Sequence, residues 1–408
     1  IIVINTCSFI REACEEAAET IKEACVQKKE GMCRGIIVTG CFPQRFSRAI
    51  CKDFPAVDAF VGPDYIDSIA STIQRVYEGE NNIFLINGTP QKIFESSAKQ
   101  KVVLSRGAYA YIKIAEGCNH YCSFCTIPAI RGRYRSRLIS SIVKEAENIL
   151  SAGFKELDLV SQDTFSFGHD TGESITDLLK QLNGIGGDFW IRMLYGYPSK
   201  LNEKLLETIG ELPKVCRYFD IPVQHSSKKI LELMNRRQTV PFVRDVAERI
   251  RKVLPDAVLR TTCIVGFPGE TEEDFLELLE YIKDAEFDHV GVFIFSPEEQ
   301  TKAVILPGKI DNKKAEERRK RLMLAQEVIM RKKHSALIGK RDIMLVDRTY
   351  VENGINDIYG RTVRFAPEID GEVHINLVQK GKGVERGSFV PIKYSGMDEY
   401  NMEAVLAE

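Results

Sequence analysis

The stretch Gly117-Cys118-Asn119-His120-Tyr121-Cys122-Ser123-Phe124-Cys125 sets three cysteines at C-x3-C-x2-C spacing, with no fourth close by. A [4Fe–4S] cluster normally takes four thiolates, so three leave one iron open for a small molecule. Structural zinc wants four protein ligands, usually as two spaced pairs. His120 is the available fourth ligand for zinc, but it lies between two of the cysteines. A disulfide framework fits less well, because an odd local set leaves one thiol over. The cluster is therefore the first reading and zinc the second. Cys118, Cys122 and Cys125 are the candidate ligands and the candidate catalytic centre.

Working outward, the apolar run 109–114 feeds this loop, and βα units repeat after it. Ile142, Val143, Ala146, Ile149 and Leu150 fall on one helical face, with Gly153 as the stop. Further strands are expected at 155–161, 189–194, 217–223, 258–265 and 289–295. About six units fall short of a closed eight-unit barrel, so an open partial (βα)6 barrel is predicted over 107–334. Ligand sites in such folds lie at the C-terminal strand ends.

Upstream, strand-like runs 1–4, 36–39 and 56–62 alternate with helix-like runs 9–29 and 64–78, a small α/β domain over 1–97. Residues 87–106 read as a linker. Downstream, short alternating runs at 341–347, 358–364, 372–378 and 388–394 predict a small β-barrel over 337–408. The fold class is thus α/β with an added C-terminal β-barrel. No stretch approaches twenty apolar residues, so no membrane partner is expected. The first residues lack the pattern of a signal peptide. Eleven cysteines point to free thiols and metal ligation in a reducing cytoplasm rather than to disulfides.

The C-x3-C-x-Phe-C loop resembles the radical-SAM signature, whose open iron binds S-adenosylmethionine (SAM). Tyr-Ile-Lys-Ile-Ala-Glu-Gly-Cys (111–118) and Ile127-Pro128-Ala129-Ile130-Arg131-Gly132 resemble the methylthiotransferase branch, over nearly the whole chain. The last block resembles that family's TRAM domain. The resemblance implies two [4Fe–4S] clusters, SAM, and an electron donor such as flavodoxin or ferredoxin. Asn5-Thr6-Cys7-Ser8-Phe9 and Thr39-Gly40-Cys41-Phe42-Pro43 resemble two of three motifs that hold the auxiliary cluster, so Cys7 and Cys41 are its candidate ligands. The third motif lies upstream of residue 1 in the family, and without it the auxiliary cluster is expected to be held poorly. Cys14, Cys25, Cys33 and Cys51 read as ordinary thiols.

Candidate SAM contacts follow from the same resemblance, each beside a plainer reading. Phe124 packs on the adenine or cluster, or fills the core. Val265-Gly266-Phe267-Pro268-Gly269-Glu270-Thr271 resembles the SAM-contacting motif, or is a tight turn before a helix capped by Thr271 and Asp274. Gly266 and Gly269 let a backbone approach a ligand closely. Arg260 pairs with the SAM carboxylate or with a structural carboxylate. Gln162 and Gln224, each after an apolar strand, suit the ribose or amino-acid part of SAM, or cap helices. His225 reads as structural.

The family divides by substrate: an aspartate of ribosomal protein S12, or an adenosine of tRNA. Arg192-Met193-Leu194-Tyr195-Gly196-Tyr197-Pro198, Gln224-His225-x-Ser227, and Ala366-Pro367-Glu368-Ile369-Asp370-Gly371 with Asp398-Glu399-Tyr400 resemble the S12 branch. Residues 338–408 carry nine Lys/Arg and twelve Asp/Glu, a net of −3. RNA affinity comes largely from cations meeting phosphates, so this module is expected to favour a basic protein over tRNA. The stretch 312–334 is basic, read first as a solvated helix face and second as a nucleic-acid contact. Gln300 stands where the family has Gly, and Asn401-Met402-Glu403 also departs from its pattern. The tRNA-modifying branch is the alternative; a non-catalytic metal- or ribosome-binding protein is the alternative of another class.

Overall fold

Ile2–Thr6 (β1), Ile36–Gly40 (β2), Ala59–Val61 (β3) and Ile83–Leu85 (β4) form one parallel sheet in that order. Successive side chains of a strand alternate in direction. Ile36 and Val38 therefore bury against the helix Arg11–Lys29, while Ile37 packs with Val76 of the helix Ile69–Tyr77. The expected helix 64–78 is split: Pro63 opens a 3₁₀ turn, Pro63–Ser68, before the α-helix starts. Strand β4 was not expected, because Ile-Phe-Leu is too short a run to stand out.

The computed structural model describes residues 1–93, 103–236, 239–352, 355–377 and 384–407. Part of the expected linker, 94–102, and the end of the expected strand 372–378 lie outside them. Two compact units are distinguished. The first joins Ile1–Phe94 to the cysteine loop Ala115–Arg135 and to Ser296–Leu306; the second holds Glu95–Ile114, Ser136–Phe295 and Pro307–Glu408.

In the second unit, Tyr109–Lys113 (β5), Glu156–Val160 (β6) and Trp190–Met193 (β7) form one parallel ladder. Tyr218–Asp220 (β8), Val258–Val265 (β9) and His289–Ile294 (β10) form another. Ile191 N donates to Lys214 O at 2.7 Å and Ile191 O accepts from Cys216 N at 2.8 Å, which stitches the two together. No ladder joins β5 to β10 among the described residues. The barrel is therefore open, as six units require. Leu157, Leu159, Ile191, Met193, Leu259 and Cys263 point outward into the core under the helices. The alternate residues line the concave face.

Arg341–Glu352 (β11), Ile355–Arg361 (β12), Val373–Leu377 (β13), Phe389–Asp398 (β14) and Asn401–Leu406 (β15) close into a barrel ordered β11-β12-β13-β15-β14. The last strand was not expected; Glu403 interrupts its apolar pattern. This barrel docks on the concave face of the open one. Fully buried Glu156 is bridged by Arg192 at 2.7 Å and by Arg361 at 2.5 Å, and Arg361 also holds Asp347 at 2.7 Å. Tyr218 donates its hydroxyl to Asp370 at 2.5 Å. Trp190 meets Phe389 edge-on, with ring centroids 5.1 Å apart. These contacts lie toward the N-terminal ends of β6–β8.

Candidate functional site

In the first unit, Cys7 directly follows β1 and Cys41 directly follows β2. The parallel register sets Thr6 against Gly40, so both cysteines stand at one edge of the sheet. Thr6 Oγ1 donates to Thr39 O at 2.7 Å and accepts from Phe42 N at 3.3 Å, tying the two strand ends. Gly40 has φ +102°, and a Cβ there would lie 2.5 Å from Thr6 O. Only glycine fits such a turn without strain.

The loop bearing Cys118, Cys122 and Cys125 is pinched at both ends. Cys118 N donates to Gly132 O at 3.1 Å. Gly117 (φ +79°) and Gly132 (φ +76°) would each drive a Cβ into backbone oxygen, of Arg133 at 2.2 Å and of Pro90 at 2.3 Å. Cys125 N donates to Cys122 O at 3.0 Å, and Ser123 O accepts from Ala303 N at 2.8 Å. Phe124 is half-buried rather than sealed in a core. Among the described residues no three His, Cys, Asp or Glu side chains are gathered to hold a metal ion. The thiols fit an iron–sulfur cluster by their donor chemistry and by the closed loop that carries them.

Both cysteine sets belong to this unit, and Arg131, six residues after Cys125, reaches Cys41 of the other set. Its Nη2 donates to Cys41 Sγ at 3.1 Å, and its Nη1 meets Glu116 Oε1 at 3.4 Å. Burial pushes the Cys41 thiol up, and the Arg131 guanidinium opposes that shift. The thiolate is the ligating form, so Arg131 favours the state a cluster needs. Arg45 does a similar service nearby: it approaches Cys14 Sγ at 3.7 Å while pairing with buried Glu298 at 2.9 Å.

In the second unit, the expected SAM contacts stand at strand ends. Gln162 follows β6, and its Oε1 has no hydrogen-bond partner among the described residues. Gln224 sits at φ +70°, held by its N to Thr262 O and by Ile264 N to its own O, both at 2.8 Å. Its Oε1 is likewise without a partner. Two buried acceptors lacking donors suit a ligand that brings hydroxyls or an ammonium. Gly266 (φ +73°) and Gly269 (φ +85°) form the turn after β9. Thr271 and Asp274 complete the expected capping box on the helix Glu272–Ala285. Glu270 braces the turn, accepting from Phe267 N at 2.9 Å and meeting Arg318 at 3.2 Å; burial pushes its carboxyl up to about 7.

Of the two readings of Arg260, the geometry supports the structural ion pair: Asp220 lies at 3.0 Å and Asp370 at 3.5 Å. His225 is fully buried, its Nδ1 accepts from Ser227 N at 2.9 Å, and burial drives it down to about 3, so it is neutral.

Three family models match: the radical SAM superfamily over residues 112–282, the uncharacterised protein family UPF0004 over 1–62, and the TRAM domain over 338–406. A ribosomal protein uS12 methylthiotransferase, RimO, of Geobacter sulfurreducens is 40% identical over 405 residues, spanning 98% of this chain and 89% of the relative. That of Pelotomaculum thermopropionicum is 40% identical over 404 residues, with the same coverage. The chain belongs to the uS12 methylthiotransferase family. Among solved structures, the radical SAM methyltransferase TsrM of Kitasatospora setae, with cobalamin and a [4Fe-4S] cluster bound, has TM-score 0.57 at 14% identity. It covers 74% of this chain and 66% of that one, and supports the fold alone.

Within the uS12 methylthiotransferase frame, the branch motif at 192–198 acquires a structure. Gly196 has no room for a Cβ, which would sit 2.1 Å from the Phe165 ring. Tyr195 stands at φ +63°, exposed, with its N donating to Asp220 at 3.0 Å. Gln300, in place of the family's Gly, adopts φ +72°, the left-handed region that favours Gly. Sequence reasoning gave no role to Arg131, Arg45, Glu298 or Gly117. The partners of Arg131 and Arg45 lie 15 to 253 residues away, so the signals were only the place of Gly117 in the 111–118 motif and of Arg131 in the 127–132 motif.

Proposed function

We propose that this uS12 methylthiotransferase replaces a β-hydrogen of an aspartate in ribosomal protein uS12 with a methylthio group, using SAM. The observation that carries the reading is that both cysteine sets belong to one unit, where Arg131, from the segment that carries the cysteine loop, reaches Cys41. A cluster on Cys118, Cys122 and Cys125 would bind SAM at its open iron and supply, on reduction, a carbon radical strong enough for an unactivated C–H bond.

The chain's own residues do the rest. Gln162 and Gln224 offer amide oxygens to the hydroxyls and ammonium of SAM. Gly266 and Gly269, at φ +73° and +85°, set the turn after β9 whose backbone would face the ligand. Cys7 and Cys41 would hold a second, auxiliary cluster as the sulfur-bearing partner, with Arg131 keeping Cys41 toward thiolate. The electron donor is a small reductant of the flavodoxin or ferredoxin kind. In the second unit, the acidic C-terminal barrel supports a basic protein substrate over tRNA.

The test is cellular. The full-length protein is expressed in a strain lacking its own uS12-modifying enzyme, and intact uS12 and bulk tRNA are weighed by mass spectrometry. The expected result is one methylthio gain on uS12, abolished by Cys118→Ala. A gain on a tRNA adenosine with uS12 unchanged would assign the chain to the other branch.

A further inference from the structure

At the foot of the concave face, a cavity of about 400 Å³ opens between β10, the helix Asn312–Ser335 and the 369–371 loop of the C-terminal barrel. Its walls are apolar and pliant: the thioethers of Met323 and Met330, with Ile369 and Tyr400 at the mouth. Ile369 is 39% exposed and Tyr400 50% exposed, so the mouth faces solvent. Its polar lining sets two carboxylates, Asp288 and Asp370, and the amide of Gln326 against the guanidinium of Arg260. Gln326 is 3% exposed, and its Nε2 donates to Phe287 O at 3.0 Å and Asp288 O at 3.2 Å. That fixes the amide and leaves Oε1 buried with no hydrogen-bond partner among the described residues. Asp370 uses its Oδ2 for Tyr218 and Ala366 N. Among the described residues its Oδ1 meets Arg260 Nε and His289 Nδ1, each at 3.5 Å.

A buried amide oxygen without a donor costs free energy until one arrives. An anion is disfavoured, because the Arg260 guanidinium lies between Asp220 and Asp370 and Asp288 adds a further carboxylate to the lining. A long aliphatic stem ending in a cation satisfies both halves of the cavity, with its methylenes on the thioethers and its head on the acceptors. We propose that this cavity takes one lysine or arginine side chain of the basic protein substrate. The inference rests on the proposed function and adds a subsite to it.

The concave face also says how the rest of that chain runs. Above the cavity Gly291 presents no side chain, and Phe293 is 56% exposed on the same face of β10. From His289 to Ile294 is six residues, a rise of roughly 20 Å in extended chain. An extended substrate segment along β10 would therefore place its basic anchor roughly six residues from the residue at the strand ends.

The experiment measures binding of fluorescently labelled uS12 to the full-length, cluster-loaded protein by anisotropy, then steady-state methylthiolation. Ile369→Lys and Tyr400→Lys put a like charge at the mouth; both sites are exposed, so the fold tolerates them. Leu324→Lys makes the same charge change on the same helix as Gln326, at a position 62% exposed and outside the cavity. The mouth variants are expected to weaken uS12 binding and raise KM about tenfold with kcat unchanged, while Leu324→Lys binds as wild type. Equal weakening by all three would reduce the effect to overall charge and overturn the subsite. So would mouth variants with unchanged KM on a wild-type enzyme that modifies uS12. A wild-type protein that neither binds nor modifies uS12 would overturn the proposed function and this inference together.

Discussion

Replacing Arg361 by Met should loosen the C-terminal barrel from the open one. Arg361 is 4% exposed and supplies half the positive charge of a sealed set: Glu156 and Asp347 against Arg192 and Arg361. Asp158 adds no charge, because burial and then Glu156 hold its carboxyl well above the usual range. Glu156 stays ionised: burial pushes it up, but Arg361 and Arg192 together outweigh that. The substitution thus leaves one net negative charge buried. Breaking a buried pair on one side costs about 3–5 kcal/mol, against a total stability on the order of 5–15 kcal/mol for a domain. Arg361→Met with Glu156→Gln restores neutrality, so the double variant should be about 2 kcal/mol more stable than Arg361→Met alone. The assay is urea unfolding followed by fluorescence. The chain has one tryptophan, Trp190, and it packs on Phe389 across the seam, so undocking is read directly. A loss under about 1 kcal/mol for Arg361→Met, or a double variant no better than the single, would refute this reasoning.

Other outcomes follow from the same geometry. Gly40→Ala should cost about 1–3 kcal/mol and lower iron bound by the first unit, measured by urea midpoint and iron assay, because its Cβ collides with Thr6 O beside Cys7 and Cys41. Cys118→Ala should remove about four irons per chain and abolish reductive cleavage of SAM, read as released 5′-deoxyadenosine. Thr271→Ala should cost about 1 kcal/mol through its lost N-cap, with SAM affinity measured alongside stability. Acid should draw stability from the second unit through its buried histidines, offset in part by Glu270, whose carboxyl burial pushes up to about 7 so that the folded chain takes up that proton first. Buried His225 stays neutral down to about 3 and His334 to about 4, both through burial, whereas the unfolded chain binds those protons below about 6.5. Stability therefore falls as pH drops through that window, by up to about 1.4 kcal/mol per pH unit per histidine. The test is the difference in urea midpoints between wild type and His225→Gln from pH 7 to 5: the variant should lose less stability on acidification.

Much of the fold was legible because each strand concentrates apolar residues between helix and turn signals: β9 has the expected bounds, 258–265, and β1, β2, β5 and β6 lie within a residue or two of theirs. The cysteine loop was legible for a different reason, since its three cysteines are local in sequence. What stayed hidden depends on distance along the chain. Glu156 and Arg361 are 205 residues apart, and Arg45 and Glu298 are 253 apart. Nothing in either neighbourhood advertises the other. Arg260 shows the same limit: one strand residue admitted a ligand or an ion pair, and its partners came from β8 and from the C-terminal barrel.

The most direct measurement is made in vitro under argon. The full-length protein, loaded with iron and sulfide, is given SAM, a strong reductant, uS12 and bulk tRNA together, and both substrates are examined by tandem mass spectrometry. This account predicts a uS12 peptide carrying one methylthio group in place of one aspartate hydrogen, with tRNA unchanged. SAM cleavage that leaves uS12 unmodified, while an adenosine of tRNA gains the methylthio group, would contradict it.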